Sequence, residues 1–119
     1  MNAQILGKWG EAKAAEYLRR RRYKLLAVNY HTRYGEIDII AEKKGIIAFV
    51  EVKLRKNKEF ASAREFVSYA KQQKIKLSAS LWLAQNPTDL QPRFDVIEIY
   101  APSGAQGPVA VEYLENAFT

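Results

Sequence analysis

The spacing of hydrophobic residues at the start of the chain predicts an amphipathic helix over residues 3–22. Its apolar side is formed by small and aliphatic residues at helical intervals, namely Gly7, Ala14, Ala15 and Leu18. Glu11 falls on the same side, so we expect this acid to lean towards the interior. The helix ends in four cations that complement its C-terminal dipole: Arg19, Arg20, Arg21 and Arg22.

Extended segments are predicted after this helix. Residues 23–30 have strand character, and two β-rich runs follow at 35–43 and 46–53. The two residues between those runs are Lys44 and Gly45, which suit a tight turn because glycine tolerates a positive φ. The pattern therefore predicts a β-hairpin.

The tight turn fixes the register of the hairpin, with Lys43 and Ile46 as its first facing pair. Asp38 then faces Glu51, and Glu36 faces Lys53, on one side of the sheet. The apolar residues on that side are Ile40 and Phe49. The other side is almost wholly apolar and consists of Ile37, Ile39, Ala41, Ile46, Ala48, Val50 and Val52. Helices are therefore expected to cover both sides.

The second half of the chain predicts a loop, a long helix and two strands. Residues 57–63 have loop character, and Ser68 suits the N-cap of a helix over residues 69–85. The apolar stripe of this helix contains Ile75, Ala79 and Trp82, with Leu77, Leu81 and Ala84 beside it. Proline-containing breakers end the helix, and alternation predicts a strand over residues 94–99 and a short last strand over 109–113.

Length and composition predict one soluble, cytoplasmic domain that spans residues 1–119. The 48% of apolar residues suffice for a core. The chain has no cysteine, which excludes disulfides, iron–sulfur clusters, thiolate zinc sites and a cysteine nucleophile. The longest apolar run, residues 46–50, is far shorter than the roughly 20 residues that span a bilayer, so no membrane partner is expected.

The basic charge is concentrated in the first two thirds of the chain. Residues 1–80 carry 18 basic and 8 acidic groups, whereas residues 81–119 carry 1 basic and 5 acidic groups. Such a field favours a polyanion, because contacts with phosphates release counterions. A lysine-rich solvated surface accounts for the charge equally well, so charge alone does not decide between the two interpretations.

Acidic residues crowd one end of the predicted hairpin. Two unit charges about 4 Å apart repel by about 4 kcal/mol at an effective dielectric constant of about 20. Asp38 and Glu51 therefore need a nearby cation, and Glu36 is a third candidate ligand. Lys53 offsets one charge, and a divalent ion with oxygen ligands, Mg²⁺ or Mn²⁺, would offset the rest.

A metal ion between Asp38 and Glu51, beside a basic surface, is typical of phosphodiester hydrolysis. Lys53 is expected to position the attacking water or to stabilise charge on phosphorus. Glu11 is a candidate fourth catalytic residue, which would coordinate a water or a second ion. Lys71, in the first turn of the later helix, is a candidate phosphate ligand.

A structural interpretation stays open for the same residues. Asp38 and Glu51 also suit an ion-pair network with Lys53 and Lys71. Glu36 opposite Lys53 also suits an ordinary cross-strand pair worth less than about 1 kcal/mol. The default for an acid such as Glu11 is a position on the helix surface.

Basic side chains supply candidate contacts with a nucleic-acid backbone. Those selected from the sequence are Arg19, Arg20, Arg21, Arg22, Arg33, Arg55, Lys56 and Lys71. With so few residues available to read base edges, recognition of shape and backbone is expected rather than a long sequence code.

An ordered set of short motifs resembles one protein family over nearly the whole chain. The segments are Gly10-Glu11, Asn29-Tyr30, residues 35–40, residues 49–53 with Arg55, Lys71, Arg93-Phe94-Asp95 and Asn116-Ala117-Phe118. Together they resemble the YraN-type family of bacterial proteins, which is similar to archaeal Holliday junction resolvases and is placed in the PD-(D/E)XK nuclease superfamily. Ile37 stands where that superfamily nominally has proline.

This resemblance implies a restriction endonuclease-like fold: a three-layer α/β/α domain with a central mixed sheet and the element order αβββαββ. It maps Asp38, Glu51 and Lys53 onto the metal-and-lysine signature, and Glu11 onto the first-helix acid of related resolvases. The expected activity is that of a metal-dependent endonuclease acting on DNA, with branched or otherwise structured DNA as the expected target. Resolvase-like cutting of two strands would suggest a symmetric homodimer. The alternatives are a nucleic-acid-binding module without catalysis and an interaction protein with a structural ion-pair network.

Overall fold

A computed structural model describes residues 3–56 and 67–119. Within these ranges the elements follow the order αβββαββ, with one short 3₁₀ turn before the last strand. They are α1 (Ala3–Arg20), β1 (Lys24–Thr32), β2 (Gly35–Lys43), β3 (Ile46–Arg55), α2 (Tyr69–Gln85), β4 (Gln91–Tyr100), the 3₁₀ turn (Gly104–Gln106) and β5 (Ala110–Phe118). The loop predicted over residues 57–63 lies outside the described residues.

The five strands form one mixed sheet in the order β1-β2-β3-β4-β5. All neighbours are antiparallel except β3 and β4, which are parallel and are connected through α2. The two helices cover opposite faces of the sheet, as the apolar residues on both sides of the hairpin predict. The predicted three-layer α/β/α fold of the restriction endonuclease-like class is confirmed.

Two hydrophobic cores hold the three layers together. The α1-side core contains Ala14, Ala15, Leu18, Tyr23, Ile39, Ala41, Ala48, Val50, Ile97 and Ile99. The α2-side core contains Ile37, Ile40, Ile47, Phe49, Val67, Ile75, Ala79, Val96, Ala117 and Phe118. Phe49 and Phe94 pack with ring centroids 5.7 Å apart, and Phe94 stacks on Phe118 at 5.3 Å. The sheet is therefore buried on both faces.

The predicted alternation along β2 is wrong at one point. Ile37 belongs to the α2-side core rather than sharing a face with Ile39 and Ala41. The change of face falls at Asp38, which belongs to neither the β1–β2 nor the β2–β3 ladder pairs. On the neighbouring strand, Asn29 lies between the residues that pair with Ile39 and Ile37 and has a φ of 53°, and the β1–β2 register shifts between Leu25 and Ala27. Alternation along the sequence does not predict such irregularities.

Helix boundaries follow local capping. The α2 prediction is confirmed, because the helix begins at Tyr69 and Ser68 Oγ accepts the backbone N–H of Lys71 at 3.1 Å. The predicted end of α1 is two residues too long. Arg22 has a φ of 69°, and the N–H groups of Arg22 and Tyr23 donate to the carbonyls of Arg19 and Leu18, the pattern of a Schellman cap.

Other details of the helices and strands also differ from the sequence predictions. Gly7 is exposed, and Leu77 is exposed in α2, because each lies away from the sheet-facing stripe of its helix. β4 and β5 are both longer than predicted, since pairing across the sheet extends each strand beyond its alternating segment. No helix within the described ranges is both long and apolar enough to cross a membrane.

Candidate active site

The candidate site lies where β2 and β3 separate. Their pairing runs from Lys43–Ile46 to Ile39–Val50, which confirms the predicted register over this stretch. At the next position, Asp38 is not a ladder partner of Glu51. Its Oδ2 atom instead accepts the backbone N–H of Val52 at 2.8 Å. A carboxylate thus takes the place of a strand carbonyl, which holds an acid between the diverging strands.

Glu51 receives two ammonium groups at this opening. Lys71 Nζ lies 2.6 Å from Glu51 Oε1, and Lys53 Nζ lies 3.6 Å from the same atom. Glu51 is 5% exposed and Asp38 is 7% exposed, so both carboxylates are buried. Strand β3 supplies Glu51 and Lys53 two residues apart on one face, and the capped first turn of α2 supplies Lys71. The structure brings together four of the residues selected from the sequence.

The charges in the site shift three pKa values. Burial, then the charge of Glu51 and a smaller contribution from Glu11, raise the pKa of Asp38 to about 7 against the opposing hydrogen bond from Val52. Burial lowers the pKa of Lys53 although Glu51 opposes this. Burial also disfavours the charge of Lys71, but the hydrogen bond and charge of Glu51 outweigh it and raise its pKa. The hydrogen bond from Val52 and the charge of Lys71 lower the pKa of Asp38 only in part, so its charge is incompletely compensated.

Glu36 lies apart from this cluster. It is exposed, and its Oε2 atom is 3.2 Å from His31 Nδ1 across the β1–β2 ladder. The predicted facing pair of Glu36 and Lys53 is wrong, because the β2–β3 ladder ends before Glu36. Within residues 3–56 and 67–119, no group of three or more His, Cys, Asp or Glu side chains is arranged to hold a metal ion. The structure therefore offers a pair of carboxylates, Asp38 and Glu51.

Glu11 lies on α1, close enough for its charge to contribute to the pKa of Asp38. Its side chain is half-buried, which agrees with the prediction that it leans towards the interior. It also lines a groove of about 450 Å³ between α1 and β1, together with Lys8, Arg19 and Asn29. Glu11 thus borders the Asp38 side of the opening.

The basic residues selected as phosphate contacts divide into two groups. The exposed group comprises Arg19, Arg20, Arg21, Arg22, Arg33 and Lys56. Among these, Arg20 pairs with Glu16, and the Arg21 guanidinium lies 4.5 Å from the ring centre of Tyr17. The other two turn towards acids: Lys71 contacts Glu51, and Arg55 Nε lies 3.9 Å from Oε2 of the buried Glu98, which also accepts the hydroxyl of Tyr100.

A second buried network escaped the sequence analysis as a structural unit. Asp95 is fully buried, and Arg93 donates to both of its carboxylate oxygens, with Nε–Oδ1 at 2.9 Å and Nη2–Oδ2 at 2.9 Å. Asp95 also accepts the Tyr113 hydroxyl and, at 2.8 Å, the backbone N–H of Asn116. The signal was present as Arg93 and Asp95 two residues apart on a strand, and its partners only appear in the fold.

Comparisons with known proteins place this chain in a family. A model of the uncharacterised protein family UPF0102 matches residues 10–99, a span that includes every residue of the candidate site. A UPF0102 protein of Syntrophomonas wolfei is 42% identical over 114 residues, which cover 95% of this chain and 96% of the relative. A UPF0102 protein of Caldanaerobacter subterraneus is 41% identical over 119 residues, covering 99% and 98%.

A third relative, from Syntrophotalea carbinolica, is 47% identical over 95 residues, which cover 79% of this chain and 77% of that UPF0102 protein. The matches to the first two relatives cover nearly the whole length of both chains. The chain therefore belongs to the uncharacterised protein family UPF0102, the YraN-type family that its sequence motifs resemble.

Proposed function

We propose that this protein is a metal-dependent endonuclease that hydrolyses phosphodiester bonds in DNA. The observation that carries the proposal is the pair of buried carboxylates, Asp38 and Glu51, held with Lys53 and Lys71 at an opening of the sheet. Two acids and an amine at one strand opening match the chemistry of phosphoryl transfer, in which positioning and charge stabilisation dominate.

The donor atoms of this pair suit Mg²⁺ or Mn²⁺. Among the described residues, both lysine contacts of the site go to Glu51, and the polar contact of Asp38 is the N–H of Val52. Burial beside another carboxylate raises the pKa of Asp38, so an additional cation would stabilise its charged form. Hard divalent ions take few carboxylates and keep several waters. Such an ion lowers the pKa of a bound water and polarises a phosphoryl oxygen.

The residues of this chain would divide the remaining tasks. Asp38 and Glu51 would hold the ion, with the N–H of Val52 fixing the orientation of Asp38. Lys53 has a lowered pKa and is anchored by Glu51, which suits it to orient the attacking water and stabilise charge that develops on phosphorus. Glu11, on the Asp38 side of the opening, would bind a further water.

The charge distribution supports DNA as the substrate. The exposed arginines at the end of α1 extend the basic part of the chain towards solvent, where phosphates can reach them. A fold of 119 residues offers little surface for base reading, so branched or otherwise structured DNA is the proposed target. Cleavage of two strands at a junction would require a second copy of this chain, arranged symmetrically.

A cleavage assay tests this proposal. Purified wild-type protein is incubated with single-stranded, duplex, flapped and four-way DNA, with Mg²⁺, with Mn²⁺ and with chelator. We expect cleavage that depends on the ion and falls by about 10²-fold or more in Asp38→Asn, Glu51→Gln and Lys53→Met. The surface variant Glu16→Gln should cleave like the wild type. Equal cleavage by wild type and Asp38→Asn would contradict the proposal.

A nucleic-acid-binding module without catalysis is the second candidate function, favoured by the exposed arginines. Binding to the same DNA panel without cleavage in any ion would support it. Arg21→Ala should then weaken binding. It should also reduce the magnitude of the slope of log K against log salt by about 1, the contribution of one phosphate contact. An unchanged slope would remove the end of α1 from the interface.

A further inference from the structure

Lys71 differs from the other residues of the candidate site because it reaches Glu51 from a separate element. It lies in the first turn of α2, whereas Glu51 and Lys53 belong to β3. Lys71 Nζ is 2.6 Å from Glu51 Oε1, and Lys53 Nζ is 3.6 Å from that same oxygen. Two ammonium groups therefore share one carboxylate oxygen of a buried residue.

The charges of the site limit what can enter it. Asp38 and Glu51 are balanced by Lys53 and Lys71 when all four groups are charged. A divalent cation on the two carboxylates would add two positive charges beside two ammonium groups in a largely buried place. Such an excess is costly away from water. Binding of the cation therefore favours the departure of one ammonium group.

Lys71 is the lysine that can leave. Its side chain is 42% exposed, whereas that of Lys53 is 21% exposed and is confined within a central strand. Lys71 also lines an open cleft of about 280 Å³ between β2 and the start of α2, together with Gly35, Ser68 and Lys74. A rotation of the long side chain away from Glu51 would place the ammonium group in this cleft, where it stays hydrated.

We propose that Lys71 is an exchangeable counterion: it pairs with Glu51 until a divalent cation binds, and then moves to a phosphate of the substrate. This inference rests on the proposed function. A phosphodiester that enters beside the cation supplies the negative charge that Lys71 has lost, and the N-terminal turn of α2 adds to the attraction for an anion. Lys71 thereby couples occupancy of the carboxylates to substrate binding.

Chemical labelling of the wild-type protein tests the exchange directly. Lysines are acetylated with a limiting amount of reagent at constant pH, with and without Mn²⁺, and the rate at each lysine is measured by mass spectrometry. Lys44 lies in the β2–β3 turn, away from this cleft, is exposed and serves as the internal reference. We expect the ratio of Lys71 to Lys44 labelling to rise at least about threefold when Mn²⁺ saturates the site, because the ammonium group loses its carboxylate partner.

Mn²⁺ affinity provides a second measurement that does not depend on activity. Titration by calorimetry should show tighter binding by about tenfold in Lys71→Met, since the ion no longer displaces an ammonium group. Lys44→Met, in the β2–β3 turn, should keep the wild-type affinity. Asp38→Asn should abolish both Mn²⁺ binding and the change in the labelling ratio, which ties the labelling change to the site.

The outcomes separate this inference from the proposal beneath it. If Mn²⁺ binds but the labelling ratio and the affinity of Lys71→Met stay at wild-type values, Lys71 is a fixed structural partner of Glu51 and the exchange is wrong. If Mn²⁺ does not bind the wild type at all, both the exchange and the metal-dependent nuclease are overturned.

Discussion

Two buried acids on this sheet have contrasting surroundings. Asp95, on β4, is surrounded by donors: the fork of Arg93, the hydroxyl of Tyr113 and the backbone N–H of Asn116. Asp38, on β2, accepts one backbone N–H and lies beside another carboxylate. The contacts with Asp95 raise the pKa of Arg93, whereas burial and the charge of Glu51 raise the pKa of Asp38 itself.

The difference distinguishes an acid that stabilises the fold from one suited to chemistry. A buried charge whose partners are all supplied by the chain needs no further ligand, and removing one of those partners strongly destabilises the fold. A buried charge left with a raised pKa has the capacity to bind a cation or a proton. This contrast is the reason that the proposed function assigns the metal-binding role to Asp38 rather than to Asp95.

Both acids nevertheless lie opposite an asparagine in the left-handed backbone conformation. Asn29, with a φ of 53°, interrupts the β1 ladder opposite Asp38. Asn116, with a φ of 54°, lies in a bulge of β5 opposite Asp95, between the pairs Phe94–Phe118 and Val96–Leu114. Asparagine tolerates this left-handed conformation. The bulge at Asn116 supplies a backbone N–H to Asp95, whereas Asp38 accepts the N–H of Val52 on β3. The two acids therefore differ in the donors that surround them.

The largest expected effect on stability comes from removing the charge of Asp95, the acid that the chain surrounds with donors. Asp95→Asn should destabilise the protein by about 3–5 kcal/mol, because it breaks a charge pair whose acid is fully buried and leaves the half-buried Arg93 guanidinium with only the exposed Glu115 as a charged partner. Urea unfolding monitored by tryptophan fluorescence measures the loss. The surface variant Glu42→Gln, which removes one partner of an exposed pair with Lys24, should change stability by less than about 1 kcal/mol. A loss of similar size in both variants would contradict the contrast.

A smaller effect is expected at the left-handed residue beside Asp95. Asn116→Ala should cost about 1–2 kcal/mol, because alanine disfavours this backbone conformation while the N–H that donates to Asp95 is retained. Asn116→Gly should stay within a few tenths of a kcal/mol of the wild type. Equal losses in the two variants would show that the asparagine side chain, rather than the backbone, matters.

The smallest effect on stability, and of opposite sign, is expected at Asp38. Asp38→Asn should stabilise the protein at pH 8 by about 1 kcal/mol, since it removes a buried charge beside Glu51. The same variant should lose cleavage. Thermal unfolding in the presence of chelator measures the change, and a strong destabilisation would mean that Asp38 is as completely paired as Asp95.

The pH dependence of stability offers a matched test of the same residue. The folded state binds the Asp38 proton more tightly than the unfolded chain, because the pKa rises from 3.8 to about 7 on folding. The stabilisation from this proton is therefore present in full below the unfolded value and is lost as the pH rises through about 7. In chelator, wild-type stability should decline over this range relative to Asp38→Asn. Parallel curves for the two proteins would contradict the raised pKa.

Local patterns explain why much of the fold was predictable. Ser68 caps α2 as its side-chain chemistry predicts, and the turn at Lys44-Gly45 fixes the hairpin register from Lys43–Ile46 to Ile39–Val50. These features depend on neighbouring residues alone. The break at Asn29 was not predictable from alternation, because a left-handed asparagine leaves no trace in the pattern of hydrophobic residues.

The candidate site was predictable in its members and, through the ion-pair interpretation, in the pairing of Glu51 with Lys53 and Lys71, but not in the position of Glu36. The Glu51-Val52-Lys53 sequence places an acid and an amine on one strand face, and the structure retains that pair. The placement of Glu36 opposite Lys53 failed because the strands separate before they reach it. The contact of Lys71 with Glu51 joins a helix to a strand, and no spacing along the chain encodes such a distance.

Local propensity and period indicate which segments are helices and strands, where α2 begins, and which acids and cations the chain contains. Only the packing of the three layers shows which buried acids are surrounded by donors and which one has a raised pKa. That distinction depends on burial and on contacts between residues distant in the chain, such as Asn116 with Asp95 and Lys71 with Glu51. Electrostatic energies depend on three-dimensional separation and on exclusion of water, and both arise only when the layers pack.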